Sequence, residues 1–357
     1  MTFDYELWLG RNFLPADKVL FEPTARILEL CNEIELPVTF FPDVCSVWAH
    51  RKYELHEYAD KFEAQLIEAF RGGHDVQLHL HPHWLNSTFK NGEWFISTEK
   101  MYLHELGYGD GPDSAGALIS KGISYLNDLI RPLDDGYECR VFRAAGAALQ
   151  PDERKLIKIL LDCGIKMDVS VSKYLTLKLD TLTIDYTAVP AKSIWYMSPG
   201  GGIEQEAESG LLEVPIATFN YGMGQRVGFL LRRLRSLKER RGTTISRAPR
   251  QSRLANARTM FLQNIRYVVG NPAYLFSCDT KGFNLEMLLG GFKNYLMKHA
   301  QEDTVYVTMI NHPKLMFGHQ IEMLRQFVNR TRQEYDIHFT TCTQAYEDYS
   351  RISPESL

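Results

Sequence analysis

Long apolar runs are missing from this 357-residue chain. No window reaches the 18 or so nearly uncharged residues that a membrane span requires, which argues against an integral helical membrane protein. The opening residues, MTFDYELWLG, lack a basic start followed by an apolar stretch, so neither a secretory signal nor a transit peptide is read there. Only six cysteines occur, Cys31, Cys45, Cys139, Cys163, Cys278 and Cys342, none in CxxC spacing. That pattern excludes a disulfide framework and a thiolate zinc site, and makes reduced thiols and a cytoplasmic location the expectation. An excess of one charge is also missing, since the formal net charge is -4. Without overall basicity or a nucleic-acid-binding signature, nucleic acid is not an expected partner. The remaining composition, 45% hydrophobic and 24% charged, is globular and large enough for one big α/β domain or two smaller ones.

What is present is unevenly placed. From Arg226 to Arg258 there are 11 Lys or Arg against one acid, Glu239, so this stretch carries +10 and the rest of the chain -14. Of the 11 histidines, four fall in Gly73 to Trp84, "GHDVQLHLHPHW", and His79, His81 and His83 are spaced by two.

Short β-rich runs alternate with helical patterns along the chain: "TFDYEL", "PVTFFPDV", "HDVQLHL", "CRVFRAAG", "IKMDVSV", "LLEVPIATF" and "DTVYVTMINHP" as strands, with amphipathic stretches such as "EYADKFEAQLIEAFRGG" between them. Repeated strand, helix, strand units imply parallel pairing with right-handed crossovers. Seven or eight of them predict a distorted (β/α)7-8 barrel over residues 1–350 as a single domain. Two insertions are expected, an aromatic-rich one over 84–138 and a basic amphipathic helical one over 220–275. The loop "SPGGGIEQEAESG" reads as a mobile lid.

Asp4 and Glu6, the histidines from 79 to 83, Arg143 and His312 each lie at or just beyond the carboxyl end of a predicted strand. In a parallel barrel those ends open onto one face, so distant residues converge. His79 and His83, four apart, can aim two imidazoles at one ion, and a carboxylate from a neighbouring strand completes a two-histidine, one-carboxylate set. His81 is read as a neighbour of the ion or a substrate contact. Asp4 and Glu6 are two apart and point the same way on a strand, where they repel unless a cation or proton sits between them. A metal held by one leaves the other free as a base.

Several of these stretches resemble the motifs of the polysaccharide deacetylase family, the NodB homology group that includes carbohydrate esterase family four. "GHDVQLHLHPH" is similar to its second motif, a Gly-His pair before a strand ending in His-x-x-x-His, which lays His79 and His83 on the two metal histidines. "TFDYE" looks like the first motif, Thr-Phe-Asp-Asp, with Asp4 in the place of the catalytic base. "FRAAG" resembles the third and puts Arg143 where an arginine holds that base. "NHPK" resembles the fifth, with His312 in the position of the general acid. The order and spacing of the motifs match across nearly the whole chain. Departures accompany the likeness: Tyr5 stands where the second acid is usual, so Glu6 is assigned as third ligand. Ala144 or Ala145 replaces a proline, and no fourth motif is placed.

The resemblance implies a metal-dependent N-deacylase. A bound divalent ion, zinc first and cobalt, nickel, manganese or iron as alternatives, lowers the pKa of water from ~16 to around 7. His312 would protonate the departing amine. Trp84, Trp94 and Tyr102, with Phe89, Phe95 and Tyr108, are candidates to stack on a sugar ring. The stretch 226–258 suits an anionic membrane surface or the phosphates of a nucleotide- or polyprenyl-linked sugar. The expected activity is removal of an acetyl or formyl group from an amino sugar in a glycan precursor, in the cytoplasm or at the inner membrane face. Two alternatives stand beside it: a non-catalytic carbohydrate-binding barrel, and a metal-independent, allantoinase-like amidase acting on a small non-sugar amide.

Overall fold

A computed structural model describes residues 1–7, 15–178, 182–239, 273–280 and 282–352. Eight short strands carry the architecture: β1 (Thr2–Tyr5), β2 (Thr39–Pro42), β3 (Asp75–Val76), β4 (Leu78–Leu80), β5 (Val141–Ala144), β6 (Met167–Asp168), β7 (Leu211–Glu213) and β8 (Ile310–Asn311). They pair in parallel in two runs, β8-β1-β2-β3 and β4-β5-β6-β7. Gln77 alone separates β3 from β4, and a parallel bridge between Asp43 and His79 ties β2 to the second run. On the opposite side Ile216, just past β7, bridges in parallel to both Ser172 and Thr308 and so leads back to β8. The strands thus form a distorted ring of about seven staves, as the alternating pattern predicts.

Alternation along each strand decides what faces where. In β1, Phe3 and Tyr5 point outward: Phe3 stacks on Phe40 at 5.4 Å, and Tyr5 packs on Phe62 at 4.8 Å. Thr2 and Asp4 point into the ring. Helices Glu22–Glu33, His56–Arg71, Ala115–Ile130, Glu153–Asp162, Leu285–Lys298 and Gly318–Glu334 cover the outside. Helix His56–Arg71 shows why: Tyr58, Ala59, Phe62, Leu66 and Ala69 make one buried stripe, and the helix stops at Gly72 and Gly73, the latter at φ 81°. Burying a side chain such as Phe3, Phe40 or Phe62 contributes about 1.5–3 kcal/mol each. Helix Ala115–Ile130 approaches β4 closely because Gly122 has no Cβ, which would stand 2.6 Å from Leu78. This helix is the crossover between β4 and β5, so only the first part of the expected 84–138 insertion is inserted.

Inside the ring a smaller apolar layer, with Phe41, Val141, Met167, Val169, Leu212, Val214 and Cys342, fills the space below the polar residues. Arg143 lies on top of it, its guanidinium carbon 5.0 Å from the Phe41 ring centre.

The glycine-rich stretch read as a mobile lid is instead a hairpin. Strands Trp195–Ser198 and Gly202–Ala207 pair antiparallel and extend the sheet beyond β7, because "WYMS" and "GIEQEA" can each complete a ladder. Of the basic region, helix Met223–Glu239 is described, while 240–258 lies outside the described residues. All six cysteines are free thiols, five of them buried. Among the described residues no helix is long and apolar enough to cross a membrane.

Candidate active site

The carboxyl ends of β1, β4, β5 and β8 bring the polar residues together. Glu6, one step past β1, turns back to the side of Asp4, while Tyr5 between them is buried outward and donates its hydroxyl to Gln65 Oε1 at 2.8 Å. Strand alternation therefore selects Glu6 over Tyr5 as the acid at the mouth.

Glu6, His79 and His81 form one buried cluster whose ligand atoms all lie within 4.8 Å of one another. His79 Nε2 is 3.2 Å from Glu6 Oε2, and His81 Nε2 meets the same oxygen. The cluster differs from the expected set in one member. His79 and His81, two apart on a strand, share a face, whereas His83 follows Pro82 into the turn His83–Asn86. Its ring stacks on Trp84 at 5.7 Å and neither of its nitrogens has a hydrogen-bond partner. His81 thus occupies the place expected for His83.

Donor chemistry fits a cation here. His79 Nδ1 faces the Arg143 carbonyl oxygen at 2.8 Å. A carbonyl can only accept, so Nδ1 carries a hydrogen and Nε2 is the nitrogen turned to Glu6. Two acceptors facing each other need a proton or a metal ion between them.

Charge around the cluster is concentrated. Asp4, Glu6, Asp43 and Asp279 are all buried, against two fixed cations, Arg143 and Lys314. With the imidazoles neutral, these six sum to a formal -2. Burial pushes the Glu6 carboxyl up, but the Lys314 charge and the bonds from His81 and His79 outweigh it and hold it well below the usual range. Burial lowers His79, yet the Glu6 hydrogen bond and the Asp4, Glu6 and Asp43 charges raise it to about 9. Asp43 is pushed up to about 6, chiefly by burial, while its Oδ1 accepts from His81 N at 3.0 Å. Burial takes His83 down to about 3.

Asp4 and His312 stand next to each other beside this cluster. Arg143 Nη1 stands 3.5 Å from Asp4 Oδ1, and its Nη2 donates to Thr2 Oγ1 at 2.9 Å. His312 Nε2 lies 3.8 Å from Asp4 Oδ2 and 3.7 Å from Glu6 Oε1. Its Nδ1 and its backbone N–H both donate to Asp279 Oδ2 at 2.7 Å. Burial lowers the His312 pKa, but the Asp279 charge and hydrogen bond prevail and raise it.

Asp279, Asp43 and Lys314 escaped sequence reasoning. Asp43 directly follows β2 in "FPDV", and that strand-end position was its available signal; no comparable local signal marks Asp279 or Lys314. The aromatic candidates divide. Trp84 is 1% exposed and belongs to the core, and Trp94 packs against His50, Trp84 and Phe89 within 5.4 Å. Tyr102 is half-buried and lies beside Gly146, three residues past Arg143, where a Cβ would stand 3.2 Å from its ring.

No family model and no curated protein matches the chain. Among solved structures it is similar to a "putative polysaccharide deacetylase" from Mycobacterium smegmatis, at 14% identity over 93% of this chain and 78% of that one, with a TM-score of 0.46. It is also similar to Puue allantoinase, at 12% identity over 93% and 73%, with a TM-score of 0.44. The functional reading therefore rests on the geometry of the site itself.

Proposed function

We propose that this protein is a hydrolase that cleaves a C–N amide bond, removing an acetyl or formyl group from an amino sugar of a glycan precursor. The observation that carries the reading is the convergence of two supported proton-transfer groups, Asp4 beside Arg143 and His312 on Asp279, next to the Glu6, His79 and His81 cluster.

Those three residues would hold one divalent ion, zinc first, which when bound supplies Lewis-acid polarisation of the acyl carbonyl. The chain's own groups do the rest. Asp4, with the Arg143 guanidinium beside it, takes a proton from water as the water oxygen bonds to the acyl carbon. His312 gives its Nε2 proton to the leaving nitrogen as the C–N bond breaks, and Asp279 on Nδ1 keeps the ring aimed and protonated. Of Trp84, Trp94 and Tyr102, Tyr102 is the one that stays available for a sugar face. A phosphate-linked sugar held by the 226–258 stretch, or contact of that stretch with an anionic membrane on the cytoplasmic side, completes the proposal. Its basic composition is the support.

Amine release from acetylated and formylated amino sugars tests the reading, with Asp4→Asn as control. Turnover on the sugars, lost in the variant, supports it; no release from any of them sinks it. A second reading, a metal-independent amidase, draws on the buried Lys314 ammonium, which lies 2.5 Å from Glu6 Oε1. It requires activity that survives chelation.

A further inference from the structure

Lys314 is a lysine where a metal site would not ordinarily carry one. It follows His312 by two residues, and the turn Pro313–Leu315 carries it inward, leaving it 7% exposed. Its Nζ donates to Glu6 Oε1 at 2.5 Å and to the Leu7 carbonyl at 3.0 Å. The two imidazoles meet the other oxygen of the same carboxylate, Oε2. One lobe of Glu6 is thus bound to a fixed cation, and one lobe is offered to the histidines.

Two consequences follow from that split. A carboxylate pinned through Oε1 can approach an ion only through Oε2, so two-oxygen ligation by Glu6 is blocked. A positive charge already seated on Glu6 also repels any further cation in a buried, weakly screened setting. Resting on the reading of Glu6, His79 and His81 as a cation site, we propose that Lys314 is a built-in competitor for the divalent ion. It positions Glu6 for one-oxygen ligation and lowers the affinity of the cluster, so that metal occupancy is set by the balance between this ammonium and the ion. Lys314 acts through Glu6 and is a positioning residue.

The experiment is titration of the apo protein with cobalt(II), read by visible absorption and calorimetry, for wild type, Lys314→Met, Lys314→Gln and Glu6→Gln. Removing the charge should tighten cobalt binding roughly tenfold or more in both lysine variants. The d–d spectrum should change as Glu6 is released to offer both oxygens. Thermal melting provides a second readout, because cobalt should raise the melting temperature more in Lys314→Met than in wild type. Glu6→Gln separates the two ideas. Wild-type binding that persists undiminished in Glu6→Gln would remove the metal reading of the cluster itself. Loss in Glu6→Gln, together with unchanged or weaker binding and melting response in both lysine variants, would leave that reading standing and overturn the competitor role. Cobalt binding by Lys314→Met where wild type binds none supports it; binding by neither overturns it.

Discussion

Arg143 serves Asp4 and His79 through different atoms: its carbonyl oxygen accepts from His79 Nδ1 at 2.8 Å, while its guanidinium stands 3.5 Å from the Asp4 carboxylate. One residue of β5 therefore orients a cluster histidine with its backbone and places a guanidinium beside the neighbouring acid with its side chain. The backbone half of this arrangement survives any substitution that preserves the strand.

Substituting Arg143→Lys should uncouple the two. The planar fork that reaches both Thr2 and Asp4 is lost, and a lysine cannot replace it bidentately. Turnover on an acylated amino sugar should fall roughly 10²-fold or more, the scale of a misplaced general base. Cobalt binding should be unchanged, since the carbonyl still orients His79. A parallel fall in cobalt affinity would show that the side chain supports the cluster as well.

His81 and His83 make opposite predictions. His81→Ala removes a member of the buried cluster and should strip most of the metal from the purified protein. His83→Ala should leave metal content intact, because its imidazole stacks on Trp84 outside the cluster. Metal analysis by mass spectrometry decides between them, and loss in His83→Ala with retention in His81→Ala would restore the four-residue spacing as the ligand pair.

Much of this was legible in the residues. Period-two alternation placed Asp4 and Glu6 on one face, and the same rule explains Tyr5 as a core residue bonded to Gln65. The identical rule puts His79 and His81 on one face, whereas the four-residue spacing points to His79 with His83, and the turn after Pro82 shows which pair faces Glu6. Asp279 and Lys314 could not be read. Asp279 reaches His312 across 33 residues of chain, and Lys314 looks like any surface lysine until a short turn carries it inward. The hairpin Trp195–Ser198 and Gly202–Ala207 was hidden by its glycines, which mark the tight turn and not the strands beside it. Long-range pairing, unlike periodicity, leaves no local trace in sequence.

Asp279→Asn should act through His312. Burial already works against the imidazolium, and the Asp279 charge and hydrogen bond are what raise its pKa above the ordinary histidine value. Without that charge the pKa should fall, so the acid form needed to protonate the leaving amine is lost at lower pH. The alkaline limb of the rate profile should move toward acid while cobalt affinity stays constant. A profile that keeps its alkaline limb in place would remove His312 from the acid role.

A separate prediction concerns stability away from the mouth. Asp168 and Glu213 stand opposite each other in register on β6 and β7, both fully buried, with their carboxyls close enough to perturb one another. Two buried carboxyls in contact cannot both ionise cheaply, so they hold a shared proton. Burial, reinforced by the Asp168 charge, pushes the Glu213 carboxyl well above its usual range. In the unfolded chain that proton is released near pH 4.5. Below that value both states are protonated and the pair's contribution is complete. As pH rises, the folded state still binds a proton that the unfolded state has lost, so stability falls by about 1.4 kcal/mol per pH unit until the folded pair ionises. Other groups, Glu6 among them, titrate in the opposite sense, so the informative quantity is a difference. Glu213→Gln keeps a hydrogen-bond donor toward Asp168 and removes the titration. Urea unfolding of wild type and Glu213→Gln from pH 5 to pH 8 should show the variant gaining on wild type by about 1 kcal/mol or more as pH increases. A constant difference over that range would mean that the two carboxyls do not share a proton in the folded protein.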